Sequence, residues 1–381
     1  MLINRFKKKF LIIILFGVFS VLHGSSFYYE PFAVLTPSNF PSLNSSISIR
    51  FPLNFCGEPV PMKIPEIKER MEKEMLLAVW SRSQVILWLK RSNRYFPHIE
   101  HMLSAAGVPD DLKYLCVIES AMRAHAGSSK GAVGYWQFVR TTAQKYDLIV
   151  DSDIDERRNL FKSTDAAIRY LKDLYQLFGS WSLAAAAYNM GEEGLESEIT
   201  IQKVKDYYKL YLPLETQRYV FKALAAKLIL TSPHKYGFRL SKKDLYAPIQ
   251  FDRVQVNCTQ DVPIQIIAQS ANSYFKKIKD LNPEIRGYYL CKGVHGVMIP
   301  KGSSPGFHNR FKRNMNTWLQ QEKMHIYVVE KGDSLTSIAD RFNVPLPALL
   351  IWNRLSPRKH IYPGDRILVY PQKSKNMDIY P

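Results

Sequence analysis

The sequence predicts a mainly α-helical domain followed by small α+β modules. Three observations predict this. From Ile64 to about Ser232, apolar residues recur at helical spacing. After about Phe251, short β-like runs (VQV, VMIP, YVV, ILVY) flank short helical patterns, twice. Between the two sets of strands, KGSSPG (301–306) carries a linker signal. A chain of 381 residues with 46% hydrophobic content has room for two or three domains and a sizeable core.

The first segment, 1–24, has the order of a secretory signal. MLINRFKKKF supplies Arg5, Lys7, Lys8 and Lys9; the apolar run Phe10 to Leu22 follows, then Gly24, Ser25 and Ser26. The run is short for a spanning helix, and an uncleaved membrane anchor is the alternative. Leu22-His23-Gly24-Ser25 resembles a lipoprotein signal, but Ser25 stands where the lipidated cysteine would be, so no lipid anchor is expected. The expected location is therefore a bacterial periplasm or cell envelope. The net charge of +18 suits a polyanionic partner. Export argues against nucleic acid and leaves anionic lipid or a carboxylate-bearing wall polymer. Residues 25–60, rich in Ser, Pro and Phe, read as an extended leader.

The helical domain is expected over 61–245. PEIKERMEKEMLLAV opens with Pro65 and sets Ile67, Met71, Met75 and Leu76 in one stripe. KSTDAAIRYLKDLYQLFG is expected to be capped by Ser163 or Thr164 and stopped by Gly179. SWSLAAAAYNMG is a short alanine-rich helix ended by Gly191, and TQRYVFKALAAKLIL is another helix with an apolar face.

Asp110 and Asp111 are expected to cap a helix from Leu112. Within it Leu112, Leu115, Cys116 and Glu119 fall at i, i+3, i+4 and i+7, which puts Glu119 on the apolar stripe. Poor solvation raises a carboxyl pKa, and a glutamic acid protonated near neutral pH can act as a general acid. The competing reading is a structural glutamate paired with Arg123 or Arg140. GSSKGAVGYWQF follows, with Gly127, Gly131 and Gly134 free to turn tightly near a ligand. Trp136 then offers an apolar face and Gln137 an amide, parts suited to an N-acetylated sugar.

This stretch resembles the lysozyme-like (goose-type, SLT) domain of lytic murein transglycosylases. The family pattern is ES, a small-residue loop, then WQ; here Glu119-Ser120, Ser128, Gly131, Ala132 and Gly134, then Trp136-Gln137. Asp155-Glu156-Arg157-Arg158 resembles its DER element. Ser163-Thr164, Ala166-Ala167 and Tyr170-Leu171 resemble its next helix. Phe178-Gly179, Trp181 and Ala186-Ala187-Tyr188-Asn189 follow, then Glu215-Thr216 and Tyr219-Val220. Met190 and Val139-Arg140 depart from the pattern without removing a titrating group. With the C-terminal module below, the resemblance is to the membrane-bound D type.

The resemblance implies a general acid/base at Glu119. It implies substrate contacts from Ser120, Ser128, Gly134, Trp136, Gln137, Tyr188, Asn189, Glu215 and Tyr219, with Tyr188 helping to orient the glutamate. It implies cleavage of the bond between N-acetylmuramic acid and N-acetylglucosamine with closure of a 1,6-anhydro ring, and neither cofactor nor metal. The sequence offers no convincing second carboxylate: Asp147, Asp151 and Asp153 read as solvated. Two alternatives are a goose-type-like lysozyme, in which water attacks, and a wall-binding protein with a dead cleft.

Residues 324–372 resemble a LysM domain of βααβ fold, through Gly332-Asp333-Ser334-Leu335, Ile338-Ala339, Phe342, Trp352-Asn353 and Pro363-Gly364. The resemblance implies glycan contacts at Gly332, Asp333, Ser334 and Leu335 and near Ile361, Pro363 and Gly364. Residues 250–303 look like a degraded copy. Shifted by 71 positions, Ile267-Ala268 falls on Ile338-Ala339, Ile278 on Leu349 and Leu281-Asn282 on Trp352-Asn353, and the last strand meets one residue out of step. Asp261-Val262-Pro263 replaces Gly332-Asp333-Ser334, so this copy is expected to be a spacer without sugar binding; an unrelated α+β linker is the alternative. Of the four cysteines, Cys116 is expected as a buried thiol, and Cys258 with Cys291 as a possible disulfide.

Overall fold

The computed structural model describes residues 48–49, 52–321, 325–353, 355–356 and 359–370. The expected signal, 1–24, and most of the expected leader lie outside them. Among the described residues, no helix is long and apolar enough to cross a membrane.

The end of the leader is not extended. β1 (Asn54–Phe55) and β2 (Glu58–Pro59) form a tight hairpin. Glu58 reaches into the helical domain, accepting the Ser182 N–H at 3.0 Å and the Ser180 and Ser182 hydroxyls at 2.9 and 2.8 Å. A carboxylate at a helix start satisfies donors that have no partner within the helix.

Eight helices carry the domain: α1 (Pro65–Trp80), α2 (Arg82–Ala105), α3 (Lys113–Ser120), α4 (Arg140–Lys145), α5 (Leu160–Phe178), α6 (Trp181–Met190), α7 (Glu192–Gln202) and α8 (Leu214–Thr231). Helix α8 is the central one. Val220, Phe221, Ala223, Leu224, Ala225 and Ala226 are buried around its circumference, as expected of a helix enclosed by others. It packs on α1, α3 and α6. The run Ala184–Ala187 on α6 is fully buried, and its small side chains allow close approach. Glu74 of α1 and Arg218 of α8 form a two-pronged ion pair, with contacts of 2.5 and 3.1 Å.

Two expected caps differ. Neither Ser163 nor Thr164 caps α5. The cap is Asn159, four residues before Ser163, and its Oδ1 accepts the Phe161 and Lys162 N–H groups, both at 3.0 Å. Neither Asp110 nor Asp111 caps α3. Asp110–Leu112 form a 3-10 turn, and Asp111 accepts the Cys56 N–H at 2.7 Å.

Beyond the domain come β3 (Phe251–Cys258), β4 (Val262–Pro263), α9 (Ile264–Ser270), α10 (Phe275–Leu281), β5 (Tyr289–Leu290) and β6 (Gly293–Pro300). β3 pairs antiparallel with β6 from Phe251↔Pro300 to Cys258↔Gly293. Helix α11 (Phe307–Gln321) follows. The C-terminal module consists of β7 (His325–Val328), α12 (Leu335–Arg341), α13 (Leu346–Asn353) and β8 (Arg366–Val369), with β7 and β8 antiparallel. Each module has its own apolar core. The possible disulfide is not formed: Cys258 and Cys291 are free thiols, as are Cys56 and Cys116.

Candidate active site

Glu119 lies one residue before the end of α3. The helix stops because Ala121 and Met122 turn left-handed, with φ of 51° and 57°. That conformation is costly for non-glycine residues and persists where the surroundings impose it. Here the Ala121 N–H closes on Val117 O at 2.8 Å, and Arg91 donates to Ala121 O at 3.1 Å.

The Glu119 carboxyl is partly buried and accepts a hydrogen bond from the Tyr219 hydroxyl at 2.5 Å. Burial raises its pKa to about 7, against the opposing pull of the Tyr219 hydrogen bond; Glu215 adds a smaller upward push. Neither arginine expected as a structural partner bonds to Glu119. Arg123 Nε donates to Ser120 O at 3.0 Å and Arg140 Nη1 to Val150 O at 2.5 Å. Among the described residues Glu119 has no ion-pair partner.

The glycine-rich loop returns to this point as a short antiparallel ladder, Gly127↔Val133 and Val133↔Phe138. Its floor is the backbone of the DER segment. A Cβ on Gly134, whose φ is +89°, would sit 1.8 Å from Arg157 O, so only glycine fits. Asp155 grips the Arg157 guanidinium at 2.8 and 3.0 Å, and Arg157 Nη1 donates to Gly131 O at 3.1 Å and Phe138 O at 3.2 Å.

Several residues expected to touch sugar make hydrogen bonds within the protein. Trp136 does not offer a face: it is fully buried, and its indole N–H donates to Thr164 Oγ1 at 2.9 Å. Ser120 is buried and donates to Tyr135 O at 2.6 Å. The buried Cys116 thiol points to the same carbonyl at 3.4 Å. Tyr188 donates to Trp136 O at 2.7 Å, so the hydroxyl that orients the glutamate is that of Tyr219. Asn189 Oδ1 accepts from Thr216 at 2.8 Å and ties α6 to α8. Ser128 is exposed, and its Oγ accepts the Ala132 N–H at 3.1 Å within its own turn.

Gln137 adopts φ 51°, and its Nε2 donates to Gly134 O at 2.9 Å and Ala126 O at 3.3 Å. Among the described residues its Oε1 has no hydrogen-bond partner, and an amide oxygen can accept an N–H donor. Glu215 is exposed one helical turn before Tyr219.

In the C-terminal module the second expected glycan segment is pinned three residues before the first. Val329 N donates to Asp365 O and Gly364 N donates to Val329 O, both at 2.8 Å. The Asp333 carboxylate holds its own turn, accepting from Tyr327 at 2.6 Å and from the Glu330 N–H at 2.8 Å. Ser334 caps α12, and Leu335 is buried in the core. Gly332, Pro363 and Gly364 are exposed, and Ile361 is half-buried.

The Transglycosylase SLT domain model matches residues 98–211, and the LysM domain model matches 327–369. The membrane-bound lytic murein transglycosylase D of Escherichia coli (strain K12) is 30% identical over 329 residues, covering 83% of this chain and 72% of that protein. The chain belongs to the membrane-bound lytic murein transglycosylase D family. The protein of that name from Escherichia coli O6:H1 gives the same figures. A putative tributyltin chloride resistance protein from an Alteromonas species is 33% identical over 110 residues, 28% of this chain and 53% of that protein. Within the family frame, the ladder 127–138 and the α3–α8 contact both fall on the segments that carry the motifs.

Proposed function

We propose that this peptidoglycan lytic transglycosylase uses Glu119 for both proton transfers and draws no water into the reaction. The protonated carboxyl donates to the oxygen joining C1 of N-acetylmuramic acid to C4 of N-acetylglucosamine. That bond breaks with its electron pair going to the departing oxygen. The 2-acetamido group, oriented by Gln137 Oε1, supports the oxocarbenium-like carbon. The Glu119 carboxylate then takes the proton of the same sugar's 6-hydroxyl, O6 bonds to C1, and a 1,6-anhydro ring closes. Glu119 ends protonated, ready for another cycle.

The observation that carries this reading is the carboxyl of Glu119, partly buried and held near a pKa of 7 with one phenolic donor and no arginine. A group poised there donates and accepts at neutral pH. The LysM module retains glycan near the cleft, and residues 1–24 direct export and membrane association. Mass spectrometry of the products from purified murein tests the chemistry. Anhydromuramic ends are expected; reducing ends heavier by one water would make this protein a lysozyme, and no product would make its cleft dead.

A further inference from the structure

Residues 251–300 contain the element order of 325–369, strand, two helices, strand, with the outer strands antiparallel in each, and add the short pair β4–β5 inside it. The likeness reaches individual hydrogen bonds. Asn353, at the end of α13, donates through Nδ2 to Leu349 O and Leu368 O, both at 2.8 Å, and accepts the Leu368 N–H at 2.7 Å. Asn282, directly after α10, donates to Ile278 O at 2.8 Å and Met298 O at 2.7 Å, and accepts the Met298 N–H at 2.8 Å. One asparagine pins the second helix to the last strand in both places.

The modules differ in what the loop after that asparagine touches. In the C-terminal module Tyr362, Pro363 and Gly364 are exposed, and Tyr362 and Gly364 line an open cleft whose other wall is Arg286, Gly287 and Tyr289. In the earlier one the loop lies on the helical domain. Ile285 bridges to Ile154, Asp155 N donates to Glu284 O at 2.9 Å, and Arg286 N donates to Asp153 O at 2.8 Å. The buried Glu284 side chain accepts from Asn159 Nδ2 at 2.7 Å, and its other oxygen is buried without a partner. Asn159 is itself fixed, because its Oδ1 caps α5. Next to it, Asp155 grips Arg157, which holds the Gly131 and Phe138 carbonyls.

We propose that residues 251–300 are a second module of LysM fold whose glycan-side loop is turned inward onto the catalytic domain, and that Glu284 is a positioning residue for the loop 131–138. The module binds no sugar. It fixes 153–159 from outside, and that segment fixes the loop that holds Gln137 in its unfavourable backbone conformation. The inference rests on the reading of that loop as the substrate-holding one.

Steady-state kinetics of the full chain on soluble glycan strands test it, with rates normalised to the folded fraction. Glu284→Ala is expected to lower kcat/KM about tenfold or more through a misplaced loop, with murein retention unchanged. Glu284→Gln is expected to restore it to within about threefold, because its carbonyl still accepts from Asn159. Wild-type kinetics in the alanine variant, or equal loss in both, would overturn the positioning role. Hydrogen–deuterium exchange of the wild type with an N-acetylglucosamine oligomer gives a second measurement that needs neither turnover nor a variant. Slowed exchange is expected at 331–335 and 361–365 and unchanged exchange at 259–263 and 283–287. Slowing at the latter pair without slowing at 331–335 would overturn the inward-turned module even if Glu119 chemistry stands.

Discussion

Tyr219 on α8 donates a 2.5 Å hydrogen bond to Oε1 of Glu119 on α3, across the contact between the two helices. The phenol favours the ionised carboxylate and burial disfavours it, and burial is the larger of the two, leaving the pKa at about 7. Burial and the neighbouring carboxylate push the Tyr219 phenol itself well above its usual range, so it stays a donor throughout.

Glu119→Gln is expected to reduce turnover by about 10² to 10⁴ or more, since both proton transfers depend on one group. Gln is isosteric and the fold should persist. Anhydromuropeptide release, measured beside a circular dichroism spectrum, checks both halves.

Tyr219→Phe removes the donor that stabilises the carboxylate. The pKa of Glu119 is then expected to rise, and the alkaline limb of kcat/KM to move to higher pH. A pH–rate profile of the variant against wild type decides it; a limb moving to lower pH would contradict the assignment.

Stability should fall as pH rises. Glu119 and Glu284 are both raised from 4.5 to about 7, chiefly by burial. Between those values the unfolded chain releases the protons that the folded chain keeps. Stability is full below the unfolded pKa, declines toward pH 7 and then levels, by about 1–3 kcal/mol for each group. Thermal melts from pH 4.5 to 8 should show the decline, and either Gln variant should flatten it.

Gly134→Ala forces a Cβ to within 1.8 Å of Arg157 O at a φ of +89°. A loss of about 2–4 kcal/mol is expected, together with most activity, because the loop must lift from its floor. A denaturant melt and a murein assay check it.

Asn353→Ala removes two hydrogen bonds between α13 and β8 and one within α13. Each is worth about 1 kcal/mol, enough to melt a small module. Retention on insoluble murein should fall while turnover of soluble glycan persists.

The buried setting of Glu119 was legible in the sequence because period and burial coincide there: Cys116 and Glu119 share one stripe, and the glycines of 127–134 mark the loop. The exact partner was not. Tyr188 and Tyr219 both follow motif residues, and only the crossing of α3 with α8 selects Tyr219. Trp136 was misread for a related reason: an aromatic beside Gln137 looks like a sugar platform until Thr164 accepts its N–H from α5. The start of α5 was misplaced because Asn159, Ser163 and Thr164 are all suitable caps. Helix α11 went unnoticed behind the linker signal at 301–306, although Phe307, Phe311, Met315 and Trp318 follow helical spacing.

Helix α11 is fastened to the module that precedes it. Phe307 is fully buried there, Arg310 Nε donates to Ser270 O at 2.7 Å, and Asn314 Nδ2 donates to Ser270 Oγ at 3.1 Å. From its last residue, Gln321, to the first residue of β7, His325, four steps of chain reach no more than about 14 Å. The C-terminal module is thus leashed at close range to a rigid mast. A strand caught by that module is confined to a small volume around the body of the enzyme, so capture acts as a high effective concentration of scissile bonds. Inserting a long flexible segment after Gln321 would dilute that concentration and slow attack on whole sacculi, with the soluble-substrate rate untouched.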